Sequence, residues 1–192
     1  MPTAKSWAGG SFACKNEALI IKKIIMEANV KLYTLNYSEL RTYVWALAFV
    51  AVNMVVPQLF HLIPQGGIVF APLSLVILAG AYKLGWKPAL LAAVVSPLVN
   101  HLVFGMPAAG VLPVMTLKLV VLALVAGLAA QHFRRATLPL LVGVVLAAEL
   151  LGGAGELALT GSAAATVQDF TVGWPGLLLQ VAGAHLVASH TR

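Results

Sequence analysis

Six apolar stretches, separated by short polar junctions, run from about Thr42 to the end of the chain. Each has 17 to 23 residues, a length that suits a hydrocarbon core of about 30 Å. The stretches are Thr42–His61, Ile68–Leu84, Pro88–Phe104, Val111–Gln131, Leu138–Thr160 and Val172–His190. The pattern predicts an all-α integral membrane protein, with six transmembrane helices in a compact bundle over residues 42–192. The second and third stretches are short, and predict either near-perpendicular spans or irregular helices buried in the bundle.

The positive charges lie at every second junction between these stretches and near the two ends of the chain. Eleven of the twelve Lys and Arg residues lie in residues 1–41, at Lys83 and Lys87, at Arg134 and Arg135, or at Arg192. Cytoplasmic loops of membrane proteins carry an excess of Lys and Arg. The distribution therefore predicts that both termini are cytoplasmic. Residues 1–41 are expected to form a cytoplasmic N-terminal extension, partly disordered or partly an interfacial helix.

The composition excludes several classes of protein. The chain is 60% hydrophobic and 9% charged, whereas soluble domains have about 25% charged residues. The net charge of +6 is placed at helix ends, where it meets anionic lipid, so we expect no nucleic-acid partner. One cysteine and five scattered histidines predict no metal site and no cofactor. The sequence shows no nucleotide-binding motif, so we expect no ATP hydrolysis by the chain itself.

The junctions that lack positive charge are rich in Gly and Pro and are expected to be loops on the outer side. They are residues 61–68, Gly105–Gly110 and Gly161–Thr171. Irregular backbone is tolerated at membrane depth where protein covers it or where it lines a cavity. We therefore expect the ligand side to face outwards.

Lys118 is the one basic residue inside an apolar stretch, about 10 Å from its outer end at 1.5 Å per residue. In the fifth stretch Glu149 and Glu156 are seven residues apart and share a helix face, with Gly152 and Gly153 between them. Antiparallel packing would place Lys118 at a depth between the two carboxylates. Three interpretations stay open: a structural ion pair, a ligand-binding pocket, and a proton relay.

Other polar and aromatic residues are candidates for substrate binding. Asn100 and His101 lie near the outer end of the third stretch, and Met115 is a helical neighbour of Lys118. Trp174 begins the sixth stretch and is either an interface anchor or a stacking wall for a ring. Gln65, on the first outer junction, is a possible loop ligand.

Two stripes of small residues predict close helix packing. They are Ala89, Ala93, Ser96 and Asn100 in the third stretch, and Gly173, Gly176, Gln180 and Ala184 in the sixth. We expect Gln180 to be a weaker ligand candidate than Asn100 or His101. We expect Asn53 to form an interhelical hydrogen bond.

Several segments between Tyr43 and Gln131 resemble the substrate-binding S component of energy-coupling factor (ECF) transporters. They are Ile68-Val-Phe-Ala-Pro-Leu-Ser-Leu-Val-Ile-Leu-Ala-Gly80, Leu84-Gly-Trp-Lys-Pro-Ala-Leu-Leu-Ala, Ser96-Pro-Leu-Val, Gly105-Met-Pro, Leu112-Pro-Val-Met and Leu124-Val-Ala-Gly-Leu128. The last two stretches fit by topology alone. The resemblance implies capture of a vitamin-sized molecule outside a bacterial or archaeal inner membrane. It also implies delivery by docking on a T subunit driven by two ATPases.

The resemblance is incomplete at several positions. Lys118 stands where an acidic residue is expected, which suggests an anionic ligand, and Ser74 stands where a polar residue is expected. Ala46, Ala48 and Ala51 are the candidate docking residues, without the spacing typical of the family.

Two other functions stay open from the sequence. A small membrane enzyme or assembly factor would use Glu149, Glu156 and His101 as acid and base groups. A solitary proton-coupled carrier is the other, although no internal repeat of the kind common in carriers is visible.

Overall fold

The computed structural model describes residues 37–62, 66–134 and 136–189, and these residues form helices and connecting turns without any β-strand. The helices are α1 (Leu40–His61), α2 (Gly66–Phe70), α3 (Pro72–Leu84), α4 (Trp86–Phe104), α5 (Leu112–Phe133), α6 (Leu138–Thr160), α7 (Ala163–Thr171) and α8 (Trp174–Ser189). The all-α prediction is confirmed for this part of the chain. The expected extension over residues 1–41 lies, as far as residue 36, outside the described residues.

Four helices are long and apolar enough to cross a membrane: α1, α4, α5 and α6, with spans of 19 to 23 residues. Large apolar side chains lie on their outer surfaces, among them Leu47 and Leu102, which are 70% and 81% exposed. Such surfaces suit contact with lipid. Helices of this length and composition are typical of a multi-pass membrane protein. The apolar helices α3 and α8 are shorter, with 13 and 16 residues.

The second apolar stretch is broken into α2 and α3 at Ala71. Ala71 adopts a left-handed backbone conformation with φ of 41°, and the following Pro72 occupies the first turn of α3. Proline disfavours the helical conformation in the residue before it but is well suited to begin a helix. A continuous span over Ile68–Leu84 is therefore wrong, and the alternative of an irregular buried helix is the one observed.

Helix α3 lies in the centre of the bundle, where it contacts α1, α4, α5 and α8. Ile77, Leu78 and Ala81 on α3 are fully buried and pack with Leu119 of α5 and Leu141 of α6 in one core cluster. An apolar helix that is buried on most of its faces needs no amphipathic pattern.

The third outer junction also differs from expectation. Gly161 ends α6 in the left-handed conformation, but Ala163–Thr171 then forms helix α7 and not a loop. This short helix packs on α6 and α8. Its position brings an additional carboxylate, Asp169, to the functional site described below.

The helix ends that carry positive charge lie together at one end of the bundle. The ring of Tyr37, just before α1, makes an edge contact with Trp86 at the start of α4, with 6.0 Å between centroids. Gly127, near the end of α5, packs so closely on Trp86 that a Cβ atom there would lie 2.2 Å from the Trp86 Cβ. Lys87 Nζ lies 5.3 Å from the Tyr37 ring centroid, a distance at which a cation is attracted to the ring.

The last helix ends at the same place, because His185 Nδ1 lies 3.3 Å from the carbonyl oxygen of Ala136 in the turn between α5 and α6. We call this part of the molecule the basic end. It holds four of the five Lys and Arg residues in the described part of the chain: Arg41, Lys83, Lys87 and Arg134. The fifth is Lys118.

Candidate functional site: a charged cavity between five helices

A cavity of about 230 Å³ lies between α3, α5, α6, α7 and α8, in the half of the bundle away from the basic end. Its walls include apolar side chains such as Val114, Leu119, Leu122 and Leu177. Its polar side chains are Ser74, Lys118, Glu149, Glu156, Asp169 and Gln180. An apolar cavity with a few placed polar groups is typical of a small-molecule binding site.

Lys118 enters the cavity from α5, opposite Gly152 of α6. A Cβ atom at Gly152 of α6 would lie 3.1 Å from the Lys118 Cγ, which shows that the two helices approach closely at this point. Gly152 lies between Glu149 and Glu156 along α6, and the predicted placement of Lys118 between the two carboxylates is confirmed.

The Lys118 ammonium group pairs with two carboxylates from different helices. Its Nζ lies 2.5 Å from Glu156 Oε2 on α6, and it also donates to Asp169 Oδ2 on α7. The side chains of Lys118, Glu156 and Asp169 are 22%, 9% and 36% exposed. The pair with Glu156 is thus the more buried of the two, and Asp169 lies towards the open side. The residue patterns did not indicate Asp169, because its contact depends on α7 forming and folding back over the cavity.

Glu149 also lines the cavity but lies outside this ion-pair cluster. Within the described residues its carboxylate has no ion pair within 4.0 Å and accepts no hydrogen bond. Of the two carboxylates that the sequence offered to Lys118, Glu156 is therefore the partner. Glu149 is left facing the cavity.

Gln180 on α8 is fully buried, and both of its amide atoms, Nε2 and Oε1, lack a hydrogen-bond partner in the described structure. The residue lines the cavity. Buried polar groups are nearly always hydrogen-bonded, because an unsatisfied buried group costs about 1–3 kcal/mol. A molecule in the cavity would supply the missing partners. The small-residue stripe in which Gln180 lies faces the bundle interior, with Gly176 and Ala184 also buried.

Asn100 and His101 do not line this cavity. Asn100 is buried between α4 and α1, where Nδ2 donates to the carbonyl oxygens of Asn53 and Ser96 at 3.0 and 2.9 Å. The Asn53 amide in turn donates to Ser96 Oγ at 3.0 Å, which confirms the expected interhelical hydrogen bond. His101 Nδ1 lies 2.7 Å from the Pro107 carbonyl oxygen. These two candidate ligands thus hold α4 to α1 and to its following loop.

The remaining candidates lie in different places. Met115 lines the cavity beside Lys118. Trp174, at the start of α8, is 57% exposed and is not part of the cavity wall. Gln65 lies outside the described residues. Of the candidate docking residues, Ala48 and Ala51 are exposed on α1, but Ala46 is only 7% exposed and packs inside the bundle.

The three carboxylates do not form a metal centre. Over residues 37–62, 66–134 and 136–189 there is no group of three His, Cys, Asp or Glu side chains that could hold a metal ion.

Comparisons of the chain with protein-family models, with curated proteins and with solved structures found no match.

Proposed function

We propose that this protein is the membrane-embedded substrate-binding subunit of an ECF-type importer, which captures a small molecule in the cavity beside Lys118. The observation that carries the proposal is the buried amide of Gln180, which faces the cavity with both polar atoms unpartnered. A purely structural ion pair between Lys118 and Glu156 requires neither this amide nor a cavity. A binding site accounts for both, since the partners arrive with the ligand.

The arrangement of charge supports a topology in which the cavity faces the outside. Arg41, Lys83, Lys87 and Arg134 are gathered at the opposite end of the bundle, and positive residues are retained in the cytoplasm. In this topology α3 and α8 complete six crossing segments with the four long helices, and both termini are cytoplasmic. The resemblance to S components implies that this membrane is the cell (inner) membrane of a bacterium or an archaeon.

Uptake of the ligand requires a source of energy and a surface for partner subunits. The chain carries no nucleotide-binding motif, so the energy for uptake comes from partner subunits. These are a membrane T subunit and two ATPases, as the resemblance to S components implies. Docking uses the small residues on the outer face of α1, namely Ala48 and Ala51, because the buried Ala46 is not accessible to a partner.

The first experiment is to purify the full chain from its native membrane and identify the small molecules it retains by mass spectrometry. We expect one compound to co-purify with wild-type protein and to be absent from the Gln180→Leu variant. The matched control is Gln131→Leu, which makes the same change at the basic end of α5. Retention of the same compound by Gln180→Leu and wild type would contradict the proposed site.

The second experiment measures uptake in cells with and without the T and ATPase subunits. We expect uptake to require those subunits, and Ala48→Trp to abolish uptake while leaving ligand binding unchanged. Leu150→Trp places the same indole side chain on an exposed face of α6, where Leu150 is 63% exposed, and should transport normally. Uptake by the chain alone would instead identify a solitary carrier.

A further inference from the structure

We propose that the ligand of this cavity is a compact organic cation that also accepts a hydrogen bond. The inference rests on the proposed function to the extent that it requires the cavity to bind a small molecule. It adds the chemical class of that molecule, which the resemblance to S components does not specify.

Acidic side chains outnumber basic ones around the cavity. Three of the four acidic side chains in the described part of the chain line it: Glu149, Glu156 and Asp169. They face a single ammonium group, that of Lys118. Charges interact strongly in a site walled by apolar side chains, because the effective dielectric constant there is far below that of water. The cavity therefore favours a positive ligand. The ion-pair cluster of Lys118, Glu156 and Asp169 alone already carries two carboxylates against one ammonium group.

Lys118 already has two carboxylate partners within the protein. Its ammonium group pairs with Glu156 and Asp169 at the same time, so an anionic ligand would have to displace one of them. The displaced carboxylate and the ligand would then both lie near Glu149. The sequence alone suggested an anion from the presence of Lys118, and the two carboxylates that the fold brings to it reverse that suggestion.

Two polar side chains in the cavity wall, Glu149 and Gln180, have no hydrogen-bond partner among the described residues. Glu149 offers an acceptor without an ion pair, and Gln180 offers one acceptor, Oε1, and one donor, Nε2. A protonated amine supplies N–H donors for Glu149 and for Gln180 Oε1. A carbonyl, hydroxyl or ring nitrogen elsewhere on the ligand accepts from Gln180 Nε2. The hydroxyl of Ser74 lies in the same cavity wall and is a further polar contact.

The size of the cavity limits the ligand. About 230 Å³ is below the range of roughly 300–1,000 Å³ that is usual for drug-sized molecules. An inorganic divalent ion is disfavoured, because the described residues offer no set of three converging metal ligands. A small amine-bearing molecule fits both limits.

The test uses three probes of similar shape and different charge: benzylammonium, benzyl alcohol and benzoate, each with the purified full chain in lipid nanodiscs. Isothermal titration and the shift of the unfolding midpoint at about 10 mM probe detect dissociation constants of about 1 mM, which are expected for ligands of so few atoms. We expect benzylammonium to bind at least about tenfold more tightly than either analogue. Glu149→Gln should reduce this preference, whereas Glu39→Gln, the same change outside the cavity, should keep it.

The outcomes separate the inference from the proposed function. Tighter binding of benzoate or benzyl alcohol that Gln180→Leu abolishes would overturn the cationic ligand and leave a binding cavity in place. An equal shift from sodium chloride or magnesium chloride alone would overturn it in favour of an inorganic ion. The absence of binding by all three probes would overturn the cationic ligand, whereas the proposed function is decided by the co-purification experiment.

Discussion

Lys118 on α5 and Asp169 on α7 form an ion pair across the open side of the cavity, although 51 residues separate them in the sequence. The contact ties a short helix of nine residues to the most central charge of the site. Asp169 is thus the residue through which α7 closes on the cavity, and Lys118 connects it to the buried Glu156.

Loss of the Lys118 charge should destabilise the protein even without ligand. Lys118→Met leaves Glu156 buried without its cation, and breaking a buried pair costs about 3–5 kcal/mol. Because Lys118 is partly exposed, we expect about 2 kcal/mol, or an unfolding midpoint lower by about 4–8 °C. The measurement is thermal unfolding followed by intrinsic tryptophan fluorescence.

Two further variants control this prediction. The double variant Lys118→Met, Glu156→Gln should recover most of the lost stability, because the stranded carboxylate is removed with its partner. Lys83→Met, at the basic end, should change the midpoint much less. An unchanged midpoint in Lys118→Met would show that the ion pair contributes nothing to stability.

Asp169→Asn should loosen α7 without unfolding the bundle. The Asp169 side chain is 36% exposed, and exposed ion pairs contribute about 0.2–1 kcal/mol. We therefore expect hydrogen exchange in residues 163–171 to increase by up to about fivefold, with little change in the unfolding midpoint. The adjacent exposed Gln168 provides the control, since Gln168→Ala keeps the ion pair and should keep the exchange rates. Equal exchange in Asp169→Asn and wild type would show that α7 is held by packing alone.

Gln180→Leu should stabilise the ligand-free protein while it weakens binding. The substitution removes two unpartnered buried polar atoms, and relief of about 1 kcal/mol corresponds to a midpoint raised by about 2–4 °C. The same variant should lose affinity for any ligand that bonds the amide. Thermal unfolding with and without the co-purified compound measures both effects. A lower midpoint in the ligand-free Gln180→Leu protein would mean that the amide has partners of its own.

Asn100→Ala, in contrast to Gln180→Leu, should lower the stability of the protein and leave ligand binding unchanged. It removes two hydrogen bonds that join α4 to α1 and hold its own helix turn, so the unfolding midpoint should fall by an amount equivalent to about 1–2 kcal/mol. Ligand affinity should stay the same, because Asn100 lies outside the cavity. A loss of affinity without a loss of stability would restore Asn100 as a ligand-binding residue.

The proposed topology can be tested by cysteine labelling in intact cells. In a Cys14→Ala background, Ala108→Cys lies on the exposed loop away from the basic end and should react with an impermeant maleimide. Arg134→Cys, also exposed but at the basic end, should react only after the membrane is permeabilised. Labelling of Arg134→Cys from outside would reverse the orientation and place the cavity in the cytoplasm.

The sequence predicted those features that depend on local pattern. Lys118 and Glu156 could be placed on facing helices because helix periodicity and antiparallel packing fix their depths. Asn53 could likewise be assigned an interhelical bond, since a lone amide in an apolar helix needs a partner.

The features that were missed depend on tertiary structure. Asp169 reaches Lys118 only because α7 is helical and folds back, which its polar, glycine-flanked sequence did not indicate. The Gln180 amide lacks hydrogen-bond partners because none of the side chains packed around it supplies one. The spacing of residues along the sequence does not indicate this. The break at Ala71 could have been found from Pro72, since proline at this position favours the start of a new helix.

The interruption at Ala71 also explains why there is room for a ligand at all. Helix α3 has 13 residues and is about 20 Å long, roughly 10 Å less than a hydrocarbon core. Ser74, in the first turn of α3, and Ala71, just before it, lie in the cavity wall, so the depth that α3 does not fill is part of the cavity that Lys118 and Gln180 also line. The cavity thus occupies depth that the central helix leaves empty, and lengthening α3 by about two turns would fill it with backbone.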